Sequence, residues 1–277
     1  MKLYNKSKII NYSITMIGLL CSLHGSSVYA RVMEQAKNSD GKSYIGVSVG
    51  NGNSNKIKVN QYGTAFLSEA TQGGPLAVDA FGKTNSKSVD FIGGQIGYQW
   101  SKTKFFAPAI ELEGFNLGKN KFKSHDINNN TDRLLEHDFY VKLPLKSEVF
   151  LMNAVANFDF FKFKRFHPFV GVGIGGAVLS VSNASAIQVS PPETVNHFNS
   201  NPSDKDTTFA GQVKLGVNTD ITKHFSLFVE YKRMFIGSSE YNFGSTLAEG
   251  HAVTSSWNVH LDSQYYNMGS IGLRLNT

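Results

Sequence analysis

From residue 43 onward the chain alternates between apolar and polar positions. In Ser43–Gly50, Ile45, Val47 and Val49 fall on one side, while Tyr44, Gly46, Ser48 and Gly50 fall on the other. A two-residue period is that of a β-strand. The same period recurs in Asp90–Trp100, Phe105–Gly118, Glu148–Phe161, Pro168–Val181, Thr208–Thr219, Phe225–Ile236 and Tyr265–Asn276. The pattern predicts eight strands, of a length suited to crossing a membrane, where about 9–11 residues suffice at the usual tilt.

The connections alternate as well. Three are short, at 101–104, 162–167 and 220–224, and four are long, at 51–89, 119–147, 182–207 and 237–264. Short turns at one end and long loops at the other are the organisation of bacterial outer-membrane barrels. A soluble sandwich or a lipocalin-like barrel also alternates, with its apolar side turned inward, and the alternation alone does not choose between them. The content of the two faces does. One face holds Gly, Ser and charges of both signs, namely Glu111, Glu113, Asp159, Lys214, Glu230, Lys232 and Arg274. An eight-stranded barrel has an interior just wide enough for side chains, so small residues and mutually neutralising charges suit it. The other face is aliphatic and ends, beside the short turns, in Tyr98, Trp100, Phe158 and Phe160, the place of an aromatic girdle at a membrane interface. The predicted fold is therefore all-β: an eight-stranded antiparallel up-and-down transmembrane β-barrel over 43–277.

The first residues add a compartment. Lys2, Lys6 and Lys8 precede an apolar stretch from Ile14 to Leu23, and Ser26-Ser27-Val28-Tyr29-Ala30 offers small residues for cleavage. This predicts a secretory signal peptide over 1–30, followed by a short periplasmic segment over 31–42. Cys21, the single cysteine, would leave with the leader, as would three lysines, which brings the net charge from +6 to 6 − 3 = +3. A modest charge and a secreted destination exclude nucleic acid as a partner. Rigidity without disulfides then has to come from elsewhere, and a closed barrel supplies it.

Several segments resemble a known family. Phe166-His-Pro-Phe-Val-Gly-Val-Gly-Ile-Gly-Gly176, the run from Phe209 to Arg233, Ala109-Ile-Glu-Leu-Glu-Gly114 and Asn157-Phe-Asp-Phe160 look like strands of the opacity-type, OmpA-like eight-stranded outer-membrane barrels and of related surface antigens of intracellular Gram-negative bacteria. The resemblance covers the barrel, about half of the chain that follows the leader, and not the long loops. It implies the outer membrane, insertion by the barrel-assembly machinery, and a surface-exposed role toward a host or the environment. Family members usually end in an aromatic residue that this machinery reads; here Thr277 stands in that place.

Motifs for chemistry are weak. Gly171, Gly173 and Gly176 match the spacing of a dinucleotide fingerprint, but that motif needs a following helix, and more strand follows. His125, His137, His167, His197, His224, His251 and His260 are scattered without helical metal spacing, so neither a metal nor a cofactor is expected. His260 and Ser263 lie close in sequence, yet the acidic orienter and oxyanion donors of a hydrolase have no sequence signal, and no enzymatic activity is expected. The inward charges are read as a structural ion-pair plug, with a transient gate as the alternative. Function falls to the loops, which include Ala65-Phe-Leu, Gly73-Gly-Pro-Leu-Ala77 and Pro191-Pro192. The expectation is a surface protein whose barrel presents long loops for adhesion or host contact, with outer-membrane lipids, lipopolysaccharide and a host-cell or matrix receptor as partners. The alternatives are a structural outer-membrane protein, a small gated pore and, last, a lipid-modifying or proteolytic enzyme.

Overall fold

A computed structural model describes residues 41–67, 73–103, 105–129, 138–158, 165–190 and 192–277. The leader, Cys21, most of the 31–42 segment, Asp159 and Phe160 lie outside the described residues. Eight strands close a barrel: β1 (Lys42–Ser54), β4 (Ser88–Gln99), β5 (Phe106–Asn129), β6 (Asp138–Phe158), β7 (Phe166–Val181), β10 (Asp204–Asp220), β11 (Phe225–Ile236) and β15 (Gln264–Asn276). Each pairs antiparallel with its neighbours in chain order, and β15 returns to β1 with Tyr44 opposite Asn276 and Ser54 opposite Tyr266. Closure leaves this wall with no free edge, so every strand finds its backbone partners inside the chain, as a lipid-embedded structure requires.

The faces are settled by exposure. Val47, Ile92, Phe150, Val172 and Ile174 are 58–63% exposed, while Glu111, Glu113, Lys214 and Glu230 on the opposite parity are at most 5% exposed. A soluble barrel would have the reverse assignment. Along β11 the outer face runs from Phe225 through Leu227, Val229 and Tyr231 to Phe235, interrupted near its upper end by Arg233. Ten steps at about 3.3 Å, tilted by roughly 40°, span about 25 Å of membrane normal, the height of a transmembrane apolar band.

Rings mark both rims of this band. At the short-turn end Tyr98 and Trp100 pack edge to face with centroids 5.4 Å apart, and Phe106 and Phe158 lie 6.2 Å apart. Phe105, Phe166 and Phe225 are exposed at the same level. At the far end Phe235 lies between Phe209 at 6.3 Å and Tyr265 at 5.2 Å.

The long connections depart from the loop expectation. The first holds a hairpin of β2 (Lys58–Leu67) and β3 (Gly74–Thr84), the third holds β8 (Ser185–Ser190) and β9 (Pro192–Asn196), and the fourth holds β12 (Ser239–Phe243), β13 (Val253–Thr254) and β14 (Trp257–Leu261). The described residues of the second belong to β5 and β6, which pair from Phe106 opposite Phe158 up to Ile127 opposite Phe139 with register shifts after Leu117 and after Ser124. These pieces prolong the wall in the order β12-β14-β2-β3-β5-β6-β8-β9. Asp206 and Asp204 of β10 accept from the backbone N–H groups of Glu240 and Asn242 at 2.8 and 2.6 Å, which ties β12 to the barrel. The segment boundaries therefore move outward, because polar alternation in these strands conceals the same period that the membrane strands display.

Glycines serve close approach rather than flexibility. A Cβ on Gly173 would overlap the Asn153 amide and press on Gln212. Gly171, Gly173 and Gly176 sit within β7 between β6 and β10; Gly171 and Gly173 face the lumen, Gly176 falls on the opposite parity, and more strand rather than a helix follows.

Candidate functional site

The lumen is divided into two zones. In the lower zone the inward parity of four strands brings charged residues to one level: Glu111 and Glu113 from β5, Lys214 from β10, Glu230 and Lys232 from β11, and Arg274 from β15. Lys214 bonds Glu111 and lies 3.3 Å from Glu113 and 3.8 Å from Glu230. Lys232 bonds Glu113 and lies 2.9 Å from Glu230, and Arg274 is 3.6 Å from Glu111. Three carboxylates thus face three cations, and the cluster is neutral as a set.

Neutral side chains complete the shell. Asn153 donates its amide to Glu111 and Glu113, both at 3.0 Å, and Gln212 donates to Glu113 at 2.6 Å and to Asn153 Oδ1 at 2.8 Å. Tyr44 donates to Glu111 at 3.0 Å and Ser270 to Glu230 at 3.0 Å. In the amide orientation that satisfies both groups, Gln95 accepts from Arg274 at 2.8 and 3.3 Å. The Arg274 guanidinium also stacks 4.0 Å from the Tyr44 ring centroid. Removing water from so many charges costs energy that only such dense pairing offsets. Sequence reading named the charges but not Tyr44, Gln95, Asn153, Gln212 or Ser270; their shared inward parity was the signal that could have found them.

Above this layer the lumen turns apolar. Lys232 lies 5.4 and 5.1 Å from the Phe91 and Phe115 ring centroids, at the boundary. Beyond it Leu117, Phe122, Leu143, Leu179, Phe198, Tyr241, Phe243, Trp257, Leu261 and Tyr266 form one buried cluster with Phe91 and Phe115. Phe198 stacks on Phe243 with centroids 4.6 Å apart. Burial pushes the Tyr241 phenol up from its ordinary range. The expectation of a small and charged lumen thus holds only for the lower zone; the prolonged wall encloses a hydrophobic core, which gives the loops a fixed shape.

The third and fourth connections are stitched together over this core. Asn199 donates to the Leu247 carbonyl at 2.7 Å and accepts from its N–H at 2.8 Å, and Ser200 donates to the Ser245 carbonyl at 2.7 Å. His197 is buried between Phe139 and Trp257, ring centroids 5.0 and 6.0 Å away. Desolvation lowers its imidazole below the usual histidine range. His260 lies 3.6 Å from Glu240. His167 meets Asp220 at 3.1 Å at the short-turn end.

The outer face of the cap carries rings with no lipid band beside them. Tyr62, Phe66 and Phe81 on the β2–β3 hairpin are 42–48% exposed, and Val253, opposite Phe66, is 65% exposed. Ala65 and Leu76, singled out in the sequence, point inward instead.

A model of the outer membrane protein beta-barrel domain matches residues 22–262. The chain belongs to this family. Membership places the protein in the outer membrane of a Gram-negative bacterium and agrees with the closed eight-stranded wall. Among solved structures the chain is similar to the outer membrane protein OprG from Pseudomonas aeruginosa, at 13% identity and a TM-score of 0.43, covering 86% of this chain and 97% of that one. It is similar to the attachment invasion locus protein Ail of Yersinia pestis, at 7% identity and a TM-score of 0.34, covering 85% and 99%. It is similar also to the outer membrane protease OmpT from Escherichia coli, at 9% identity and a TM-score of 0.43, covering 87% and 98%. No curated protein sequence matches the chain.

Proposed function

We propose that the protein is a non-enzymatic surface protein whose barrel anchors a folded cap for contact with a host cell, a matrix or another surface. The observation that carries this reading is the outward patch of Tyr62, Phe66, Phe81 and Val253, displayed on a wall that rises roughly 30 Å beyond the lower strands at about 3.3 Å per residue. Exposed aromatic side chains on a rigid support lose little entropy on binding and are the usual anchors of protein interfaces. The filled lumen supports an anchor over a pore, since apolar and paired side chains occupy the path a solute would take.

Lipids of the outer membrane cover the aliphatic band in this reading. Lys56, Lys58 and Lys83 line a cleft with Tyr265 at its upper rim, where lipopolysaccharide phosphates would lie. The test substitutes Tyr62, Phe66 and Phe81 together by Ser and measures adhesion of expressing cells to cultured host cells and to matrix-coated plates. Binding should fall at least tenfold while the heat-shifted mobility of the folded barrel on gels is retained. Undiminished adhesion by a correctly folded variant would overturn the assignment of the patch, and no adhesion by either protein would favour the structural alternative.

A further inference from the structure

We propose that Glu193, His197 and His251 form a binding site for a divalent transition-metal ion of the zinc class, which fastens the third long connection to the fourth. The site is independent of the adhesive reading. Glu193 lies on β9, His197 in the turn that follows, and His251 in a turn of the fourth connection. The three side chains are 28%, 3% and 18% exposed, so the site is sheltered but open on one side.

The geometry of the two rings decides what the carboxylate sees. His197 Nδ1 lies 3.0 Å from the Ala186 carbonyl oxygen, and His251 Nδ1 lies 2.7 Å from the Ala252 carbonyl oxygen. A carbonyl only accepts, so each Nδ1 carries the proton and each neutral ring presents an Nε2 lone pair. Those two nitrogens stand 3.9 and 3.7 Å from the two oxygens of Glu193, and all three ligand atoms lie within 4.8 Å of one another. Both separations exceed hydrogen-bonding distance. Three Lewis bases therefore converge with no donor among them, an arrangement that repels itself until a cation stands in the middle.

The donor set selects the cation. Two imidazole nitrogens and one carboxylate oxygen, with room for water, match a zinc-type site, whereas calcium asks for six to eight oxygens. Ligands at about 2.0–2.2 Å in a tetrahedron lie roughly 3.3–3.5 Å apart, so the 3.9 and 3.7 Å nitrogen–oxygen separations need only a modest contraction around an ion. The backbone carbonyls on both Nδ1–H groups are the outer contacts that orient metal-binding histidines. The frame behind them is fixed: Thr246 donates to the His197 carbonyl at 3.1 Å, Trp257 donates to Thr246 at 3.2 Å, and Asn196 accepts from the N–H groups of Ala186 and Phe198 at 3.0 and 3.1 Å. The histidines are 54 positions apart in the chain, so no spacing motif could disclose the pair.

The experiment uses the full chain, folded in detergent and stripped of metal by a chelating resin. Zinc titration by calorimetry should show one site per chain, and cobalt should give the visible bands of a four- or five-coordinate ion. His251→Ala and Glu193→Gln each lie toward the open side, and each should weaken zinc at least tenfold. Zinc-edge X-ray absorption on the wild-type complex should count two imidazole ligands, a readout that does not depend on any variant folding. Absence of zinc binding, equal binding by the variants, or a ligand shell without two imidazoles would each overturn the proposal; the first outcome would mean that a proton, not a metal, satisfies Glu193.

Discussion

Lys214→Met probes the lower lumen at its centre. The ammonium touches Glu111, Glu113 and Glu230, and its side chain is 1% exposed. Methionine keeps the length and apolar stem but removes the charge, which leaves three carboxylates facing Lys232 and Arg274. Glu113 and Glu230 retain Lys232, and Glu111 retains Arg274 at 3.6 Å; among the described residues no other buried cation is left to balance the excess negative charge. Breaking one member of a buried set costs about 3–5 kcal/mol, which is a fall of roughly two to four powers of ten in the folding equilibrium. Lys214→Met/Glu111→Gln restores neutrality and keeps hydrogen-bonding capacity at Glu111, so it should recover more than half of that loss. Urea unfolding of the barrel in lipid vesicles, followed by tryptophan emission and gel mobility, measures both variants. A single variant within about 0.5 kcal/mol of wild type, the range of ordinary surface changes, would refute the reasoning that these charges depend on one another.

Other consequences are checked in the same format. Val172→Arg, at the middle of the lipid-facing side of β7, should destabilise the barrel in vesicles by about 2–4 kcal/mol, whereas Ile221→Arg in a short turn should cost at most about 1 kcal/mol; equal effects would contradict the assigned faces. Gly173→Leu should cost about 1–3 kcal/mol through overpacking against Asn153 and Gln212, and Asn153→Ala in the same chain should return part of it, as read from the unfolding midpoint. Planar-bilayer recordings of the purified monomer should show no steady large conductance, and such a conductance would contradict a filled lumen.

The strand parity was legible because lipid favours it: most outward positions between the two aromatic rims are apolar, with Arg233 and Asn267 near the upper rim as exceptions, so Val47, Val172 and Leu273 announce their face without any partner being known. The charges at Glu111, Glu113 and Lys214 were legible for the complementary reason, since inward polar residues interrupt an otherwise aliphatic strand. The cap was not. In β2 and β14 the alternation places Asn, Gln and His between apolar residues, and water outside with a core inside permits either a strand or an irregular loop. The cap also depends on long-range pairing, as between Asn258 and Tyr62, which a local period does not register. The meeting of Glu193, His197 and His251 is concealed for the same reason.

The central claim is that the folded cap, not the short-turn end, faces the outside of the cell. Leu247 in the cap and Ile221 in a short turn are both exposed, at 64% and 61%, and Cys21 is the sole cysteine of the chain. With Cys21 replaced by Ser, Leu247→Cys should react with a membrane-impermeant maleimide on intact cells, and Ile221→Cys should react only after the outer membrane is opened. Labelling of Ile221→Cys on intact cells with Leu247→Cys protected would contradict the account.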